Sequence, residues 1–275
     1  MKKILLQCLI FPFLSVVILF AQDTINSYRV IPLKSGELLI PSKHINNSKS
    51  INLFVHLHGK GSVVQSAFLK SNIDGFLITI HLGMFSGSYR KAFSDSNFLD
   101  TILNETLNKL KEEMGLDVFN KELKIFLTSF SAGYGGIREI LSYEKYYNAI
   151  NGILLLDGLH TDYIETEKGK SVNPVQMNNF LRYARDAVVF KKQFIITHSE
   201  IIPEGYSSTT ETAQYLIDST GTEKIFAERV FDDGFIQKYF AFNGNFRVFG
   251  FYGDKAQDHM RHLYNIDKFL RMFDY

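Results

Sequence analysis

The sequence predicts an α/β fold: a doubly wound, mostly parallel sheet, with antiparallel strands near the N-terminus and before the last strand. Three observations carry this. Six near-continuous apolar runs have strand length, amphipathic helical stripes fall between them, and two hairpin signals flank the series. Unbroken apolar runs suit strands covered on both faces, whereas a half-exposed strand would alternate. Strands that alternate with helices suit a doubly wound sheet.

Taken in order, residues Met1 to Ala21 read as a secretory signal. Lys2 and Lys3 supply the positive start, Ile4 to Phe20 is almost wholly apolar, and Gln22-Asp23 begins the polar chain. The run is short for a membrane span and holds Pro12 near its middle. A cleaved leader, an exported (secreted or periplasmic) protein and a single domain over 22–275 are therefore expected, with no stable membrane anchor. Tyr28 to Ile40 then reads as an antiparallel hairpin turning at Ser35-Gly36. Ile51 to His58 and Gly75 to His81 are the first two buried strands. Leu99, Ile102, Leu103, Leu107, Leu110 and Met114 form one helical stripe, closed by Gly115.

Lys124 to Thr128 is the next strand, and Ile137, Ile140 and Leu141 mark a helix soon after it. Gly152 to Asp157 and Gln193 to Thr197 are further strands. Between them Asn173-Pro174 opens a helix marked by Phe180, Leu181, Ala184, Ala187 and Val188. Thr209 to Ile217 is another helix. Phe235 to Phe242 and Asn245 to Tyr252, joined at Asn243-Gly244, read as a hairpin with a type I′ turn, its second arm containing the last strand, Phe246 to Phe251. Leu263, Ile266 and Leu270 mark the final helix.

Composition narrows the function. The chain has 30 Lys and Arg against 29 Asp and Glu, a net charge of +1. Without Lys2 and Lys3 the balance is 28 against 29, or −1. Nothing here favours nucleic acid or an anionic membrane as partner. The single cysteine, Cys8, lies inside the signal, so the mature chain has neither a disulfide framework nor a thiolate nucleophile.

The chemistry centres on Ser129-Phe130-Ser131-Ala132-Gly133, between a buried strand and a helix. A serine on such a turn is lifted clear of the sheet. The Ala132 N–H and the helix start then face an incoming carbonyl. The familiar pattern is G-x-S-x-G; here Ser129 replaces the first glycine. A plain helix cap is the competing reading of Ser131. At the end of the first long strand, His58-Gly59-Lys60-Gly61 forms an H-G-x-G turn whose N–H groups near Gly59 and Lys60 suit an oxyanion hole completed by Ala132.

On these two motifs the chain resembles the α/β-hydrolase superfamily, and within it secreted, esterase-like serine hydrolases. The resemblance spans most of the mature sequence in element order and implies a Ser–acid–His triad in that chain order. His259 follows the last strand and is the expected general base, with His262 in reserve. Asp157, at a strand's C-terminal end, is the first choice of acid. Glu200 competes, because most of the superfamily carries the acid after the next strand, and Asp254 is third. His58, Tyr89 (in the Gly/Ser/aromatic loop His81 to Tyr89) and His160 are expected to touch substrate, while His81, His198 and Ser199 join the rim of strand ends.

The expected activity is hydrolysis of a small-molecule or polymer ester through an acyl-enzyme, without a cofactor. Two other classes compete. A metal-dependent hydrolase would draw on His56, His58, His81, His160, His198 and Asp157, although no H-E-x-x-H spacing is present. A non-catalytic binding protein on the same scaffold is the other. Substrate identity and oligomeric state do not follow from the sequence.

Overall fold

A computed structural model describes residues 28–42, 49–115, 120–167 and 169–275. The expected signal, residues 1–21 with Cys8, lies outside the described residues. The first hairpin pairs β1 (Tyr28–Leu33) with β2 (Gly36–Pro41), and Leu33 faces Gly36. Its turn is therefore Lys34-Ser35, one residue earlier than the sequence suggested. There follow β3 (Ser50–Leu57), α1 (Gly61–Ser71), β4 (Phe76–Ile80), α2 (Ser86–Phe93), α3 (Phe98–Met114) and β5 (Glu122–Phe130). A 3₁₀ turn over Ser131–Gly133 leads into α4 (Tyr134–Ile140). Then come α5 (Glu144–Ala149), β6 (Ile150–Leu156), the small hairpin β7 (Tyr163–Thr166) and β8 (Gly169–Val172), α6 (Pro174–Val188), β9 (Gln193–His198) and α7 (Thr209–Ser219). The chain closes with β10 (Lys224–Val230), β11 (Ile236–Asn243), β12 (Phe246–Phe251), α8 (Ala256–Tyr264) and α9 (Ile266–Leu270).

The main sheet runs β1-β2-β4-β3-β5-β6-β9-β12-β11-β10. Every pair from β4 to β12 is parallel, and the flanking pairs are antiparallel. The six apolar runs are these six parallel strands, as expected. Because side chains alternate along each strand, β3 sends Leu53, Val55 and Leu57 to one face and Phe54 to the other. The first face packs against α2 to α7 through residues such as Phe93, Leu110, Ile137, Tyr147 and Phe180. The second packs against α1, α8 and α9 through Phe68, Leu263, Ile266 and Phe269. Burial on both faces is what the unbroken hydrophobicity encodes.

Local signals behave as their chemistry requires. Asn173 accepts from the N–H groups of Val175 and Gln176 at the start of α6, ahead of Pro174. Ser208 and Glu211 form a reciprocal capping box on α7. The second hairpin differs from expectation. Asn243 pairs with Phe246, so the loop is Gly244-Asn245, and of these only Gly244 has positive φ (58°). Glycine at the first loop position fits a type II′ turn, not the I′ turn read from Asn-Gly. The reading also passed over α1, α2, α5, β7, β8 and β10. The segment at α2 has loop composition, but its helix buries Tyr89 and Phe93. The edge strand β10 is almost wholly exposed beyond its first residue and is held by backbone pairing to β11.

Candidate active site

Two neighbouring strands set the centre of the site. Phe130 of β5 pairs in register with Leu156 of β6, so the next residues, Ser131 and Asp157, leave the sheet side by side. Both turn through left-handed backbone, with φ 47° and 42°. For non-glycine residues this conformation costs of order 1 kcal/mol or more and survives only where the surroundings enforce it. Close approach enforces it here. A Cβ on Gly133 would sit 2.2 Å from the Leu57 carbonyl oxygen, and one on Gly158 would sit 2.3 Å from the Ser131 carbonyl oxygen. Ser129, in place of the pattern's first glycine, is wholly buried in the strand.

Asp157 is 2 % exposed, and each of its oxygens is engaged. Oδ1 accepts from the Ser199 N–H at 2.8 Å and from the Thr209 hydroxyl at 2.7 Å. Oδ2 accepts from His259 Nδ1 at 2.7 Å. Burial works to raise the Asp157 pKa, but the facing His262 imidazole, the His259 contact and the Ser199 N–H outweigh it and hold the carboxyl well below the usual carboxylate range. His259 stands in the first turns of α8, its ring 4.4 Å from that of Phe130, the residue before Ser131. With Nδ1 given to Asp157, Nε2 is the nitrogen left for chemistry.

Ser131, Asp157 and His259 line one cleft of about 330 Å³, with His160, Ser199, Ile201, Pro203, Tyr206, Thr209, Asp254 and Ala256. A second compartment of about 340 Å³ shares Ser131, His160 and Tyr206 and continues past Ala132, Tyr134, Arg138 and Met84. Ala132 lies in the first turn after the strand, where N–H groups have no partner within the helix.

No protein-family model and no curated protein matches the chain. Among solved structures it is similar to the ferric enterobactin esterase of Salmonella typhimurium, with a TM-score of 0.51 at 9 % identity, over 89 % of this chain and 57 % of that one. The fold is that of the α/β-hydrolases. Two further similarities are to the enterobactin esterase of Shigella flexneri (TM-score 0.46, 10 % identity, 88 % of this chain and 60 % of that one) and to the carboxylesterase CesB of Bacillus subtilis (0.42, 6 %, 89 % and 88 %). The chain spans less than two thirds of the length of either enterobactin esterase.

Within this α/β-hydrolase sheet, the rival acids fall away from the imidazole. Glu200 binds Lys238 at 2.6 Å and takes the Gly253 N–H at 3.4 Å, and it meets neither late histidine. Asp254 is exposed at the mouth of the cleft. The reserve base is also displaced. His262 is fully buried beneath Asp157, with Nδ1 on the Thr197 hydroxyl at 2.7 Å and Nε2 3.9 Å from Asp157 Oδ2. Burial pushes its pKa down to about 4. One helical turn beyond His259 places it under the site, out of reach of the cleft.

The expected substrate contacts divide. His160 lines both compartments, its Nδ1 2.8 Å from the Ser207 carbonyl, and burial lowers its pKa. Tyr89 does not fit a substrate contact, because α2 buries it completely. Its hydroxyl instead meets His58 Nδ1 at 3.0 Å and accepts from the Leu82 N–H at 3.1 Å. His58, Gly59 and Lys60 line an adjoining groove with His56, His81, Phe130 and Met84, and Met84 also lines the second compartment beside Ser131. Burial, then the neighbouring His81, pushes the His58 pKa down to about 4.

The rim histidines do not assemble a metal centre: among the described residues no three His, Cys, Asp or Glu side chains are disposed to hold one. His56 is spent on Thr128 and the His58 carbonyl, and His198 on Tyr239 and the Ser199 carbonyl. Among the described residues no helix is long and apolar enough to cross a membrane. Sequence reasoning missed Thr209 and the Ser199 N–H as supports of Asp157, and Arg138 and Tyr206 as cleft walls. Ser199, Tyr206 and Thr209 lie far from the motifs in the chain, Arg138 follows Ser131 by seven residues, and none carries a local signature.

Proposed function

We propose that the chain is an exported serine hydrolase that cleaves a carboxylic ester through an acyl-enzyme. The observation that carries this reading is the 2.7 Å contact between His259 Nδ1 and Asp157 Oδ2 inside the cleft that Ser131 lines. Ser131 Oγ attacks the carbonyl carbon while His259 Nε2 takes its proton. The Ala132 N–H, with an N–H from the Gly59-Lys60 turn, receives the negative charge that develops on the carbonyl oxygen. His259 then gives the proton to the departing alcohol. Water, activated by the same imidazole, releases the acid and restores Ser131. Asp157 fixes the tautomer of His259 and stabilises its charged form. The uncharged cleft walls Ile201, Pro203 and Tyr206 suit the apolar body of an ester.

The Salmonella typhimurium structure of this fold is an esterase, which agrees with the reading, and the leader expected over residues 1–21 would deliver the chain outside the cytoplasm. The deciding experiment labels the protein with a fluorophosphonate and maps the modified peptide. The label should fall on Ser131 and be lost in Ser131→Ala. A label elsewhere, or ester turnover that persists undiminished in Ser131→Ala, overturns the assignment.

A further inference from the structure

The acyl-transfer scheme leaves two arginines of the second compartment unused: Arg90, which pairs with Glu139 at 3.4 Å, and Arg138. Arg138 stands on α4, the helix that follows Ser131, and lines the second compartment with Ser131, Ala132, His160 and Tyr206. It is half-buried. One of its N–H groups donates to the His160 carbonyl, and its guanidinium lies 5.0 Å from the centre of the Tyr134 ring. Its Nε is buried and has no hydrogen-bond partner. Among the described residues no carboxylate comes within 4.0 Å of it. The nearby acids are occupied: Glu139 with Arg90 at 3.4 Å, and Asp162 with Gln176 at 2.6 Å. Burial lowers the pKa of Arg138 and outweighs the attraction of Tyr134, Glu139 and Asp162.

A guanidinium withdrawn from water is costly unless it is paired. This one lines the cleft that contains the nucleophile. Its planar fork matches a carboxylate. The same wall carries Asp162, whose charge disfavours a doubly charged phosphate more than a single carboxylate. We propose that Arg138 recognises a carboxylate on the ester substrate, so that the substrate class is an anionic ester bearing a free carboxyl group. This rests on the serine-esterase reading of Ser131.

The test compares two ester pairs at fixed pH and ionic strength. Mono-4-nitrophenyl glutarate against 4-nitrophenyl hexanoate places the carboxylate on the acyl side. 4-Acetoxybenzoate against phenyl acetate places it on the leaving group. In one pair the wild-type protein should favour the anionic ester by at least about tenfold in kcat/KM, mainly through KM. That ratio should collapse in Arg138→Gln and survive in part in Arg138→Lys. Ratios near one in both wild-type pairs, or a preference that survives Arg138→Gln, overturn the proposal. If Arg138→Gln does not fold, the wild-type ratios and Arg138→Lys decide it.

Calorimetric titration of Ser131→Ala with glutarate reads the site without turnover. Binding that is lost on adding Arg138→Gln supports the proposal, and absent binding overturns it. Tighter binding of inorganic phosphate overturns the choice of carboxylate. If no ester of either pair is cleaved, the serine-esterase reading fails while the glutarate titration still decides the role of Arg138.

Discussion

Ser131 and Asp157 leave adjacent parallel strands at the same level, and both do so in left-handed backbone. The in-register pair Phe130–Leu156 sets that level, and Gly158 presses against the Ser131 backbone, so the two side chains are positioned by one packing event. Asp157 stands one strand nearer Ser131 in the sheet than Glu200, which follows β9. Its second oxygen is tied to the end of β9 through Ser199.

Gly158→Ala therefore tests the geometry. The new methyl would meet the Ser131 nitrogen at 2.6 Å and its carbonyl oxygen at 2.3 Å. Relief requires movement of backbone, so a loss of roughly 1–3 kcal/mol in unfolding free energy is expected, together with at least about a tenfold drop in kcat for an activated ester. Gly87→Ala is the control, because nothing lies within 4 Å and the residue is inside α2. It should be neutral or stabilise by up to about 1 kcal/mol. Denaturant titration and initial rates check both.

Asp157→Asn and Glu200→Gln separate the two acids. Asp157→Asn should lower kcat by about 10⁴-fold, since the amide favours the wrong His259 tautomer. Glu200→Gln breaks a half-exposed ion pair with Lys238 and should leave kcat/KM within about threefold. Similar losses in the two variants would remove Asp157 from its role.

His259→Ala and His262→Phe separate the two imidazoles. The first should cost about 10⁴-fold or more in kcat with little change in melting temperature. The second sits among Phe235 and Phe251, away from the cleft. It should lower the melting temperature yet retain more than about a tenth of the activity. The reverse ranking would exchange their assignments.

The buried histidines also fix how stability depends on pH. Burial holds His56 down to about 3 and His262 to about 4, both below the usual 6.5. Between about pH 4 and 6.5 the unfolded chain binds these two protons and the folded chain does not. Unfolding then takes up protons, so stability rises with pH across this window and is lost as the solution is acidified. The depressed Asp157 carboxyl extends the same trend to lower pH. His58 is likewise held down to about 4, and burial lowers His160 and His198, so urea titrations from pH 4 to 8 should show a slope of at least about three protons below pH 6 and a plateau above pH 7. His56→Gln should reduce that slope by about one proton; an unchanged slope would refute the burial argument for His56.

The sheet and the chain order of the candidate serine, acid and histidine were legible in the sequence. Runs such as Ile51–Leu57 and Ile153–Leu156 are apolar on both faces because helices cover both sides, so local pattern and tertiary burial carry the same message. The turn at Ser131 was legible for the same reason: Gly133 records, in one residue type, the close approach of Leu57. The fold alone shows that Asp157, and not Glu200, meets His259, that His262 lies buried beneath Asp157, and that Tyr89 is buried. Each depends on which side chains meet across separations such as the 102 residues from Asp157 to His259, and no local periodicity encodes such a meeting. Arg138 is the extreme case. In sequence it is one charge on a helix, and it becomes informative only when the fold half-buries it in the compartment that Ser131 lines and leaves its Nε without a partner.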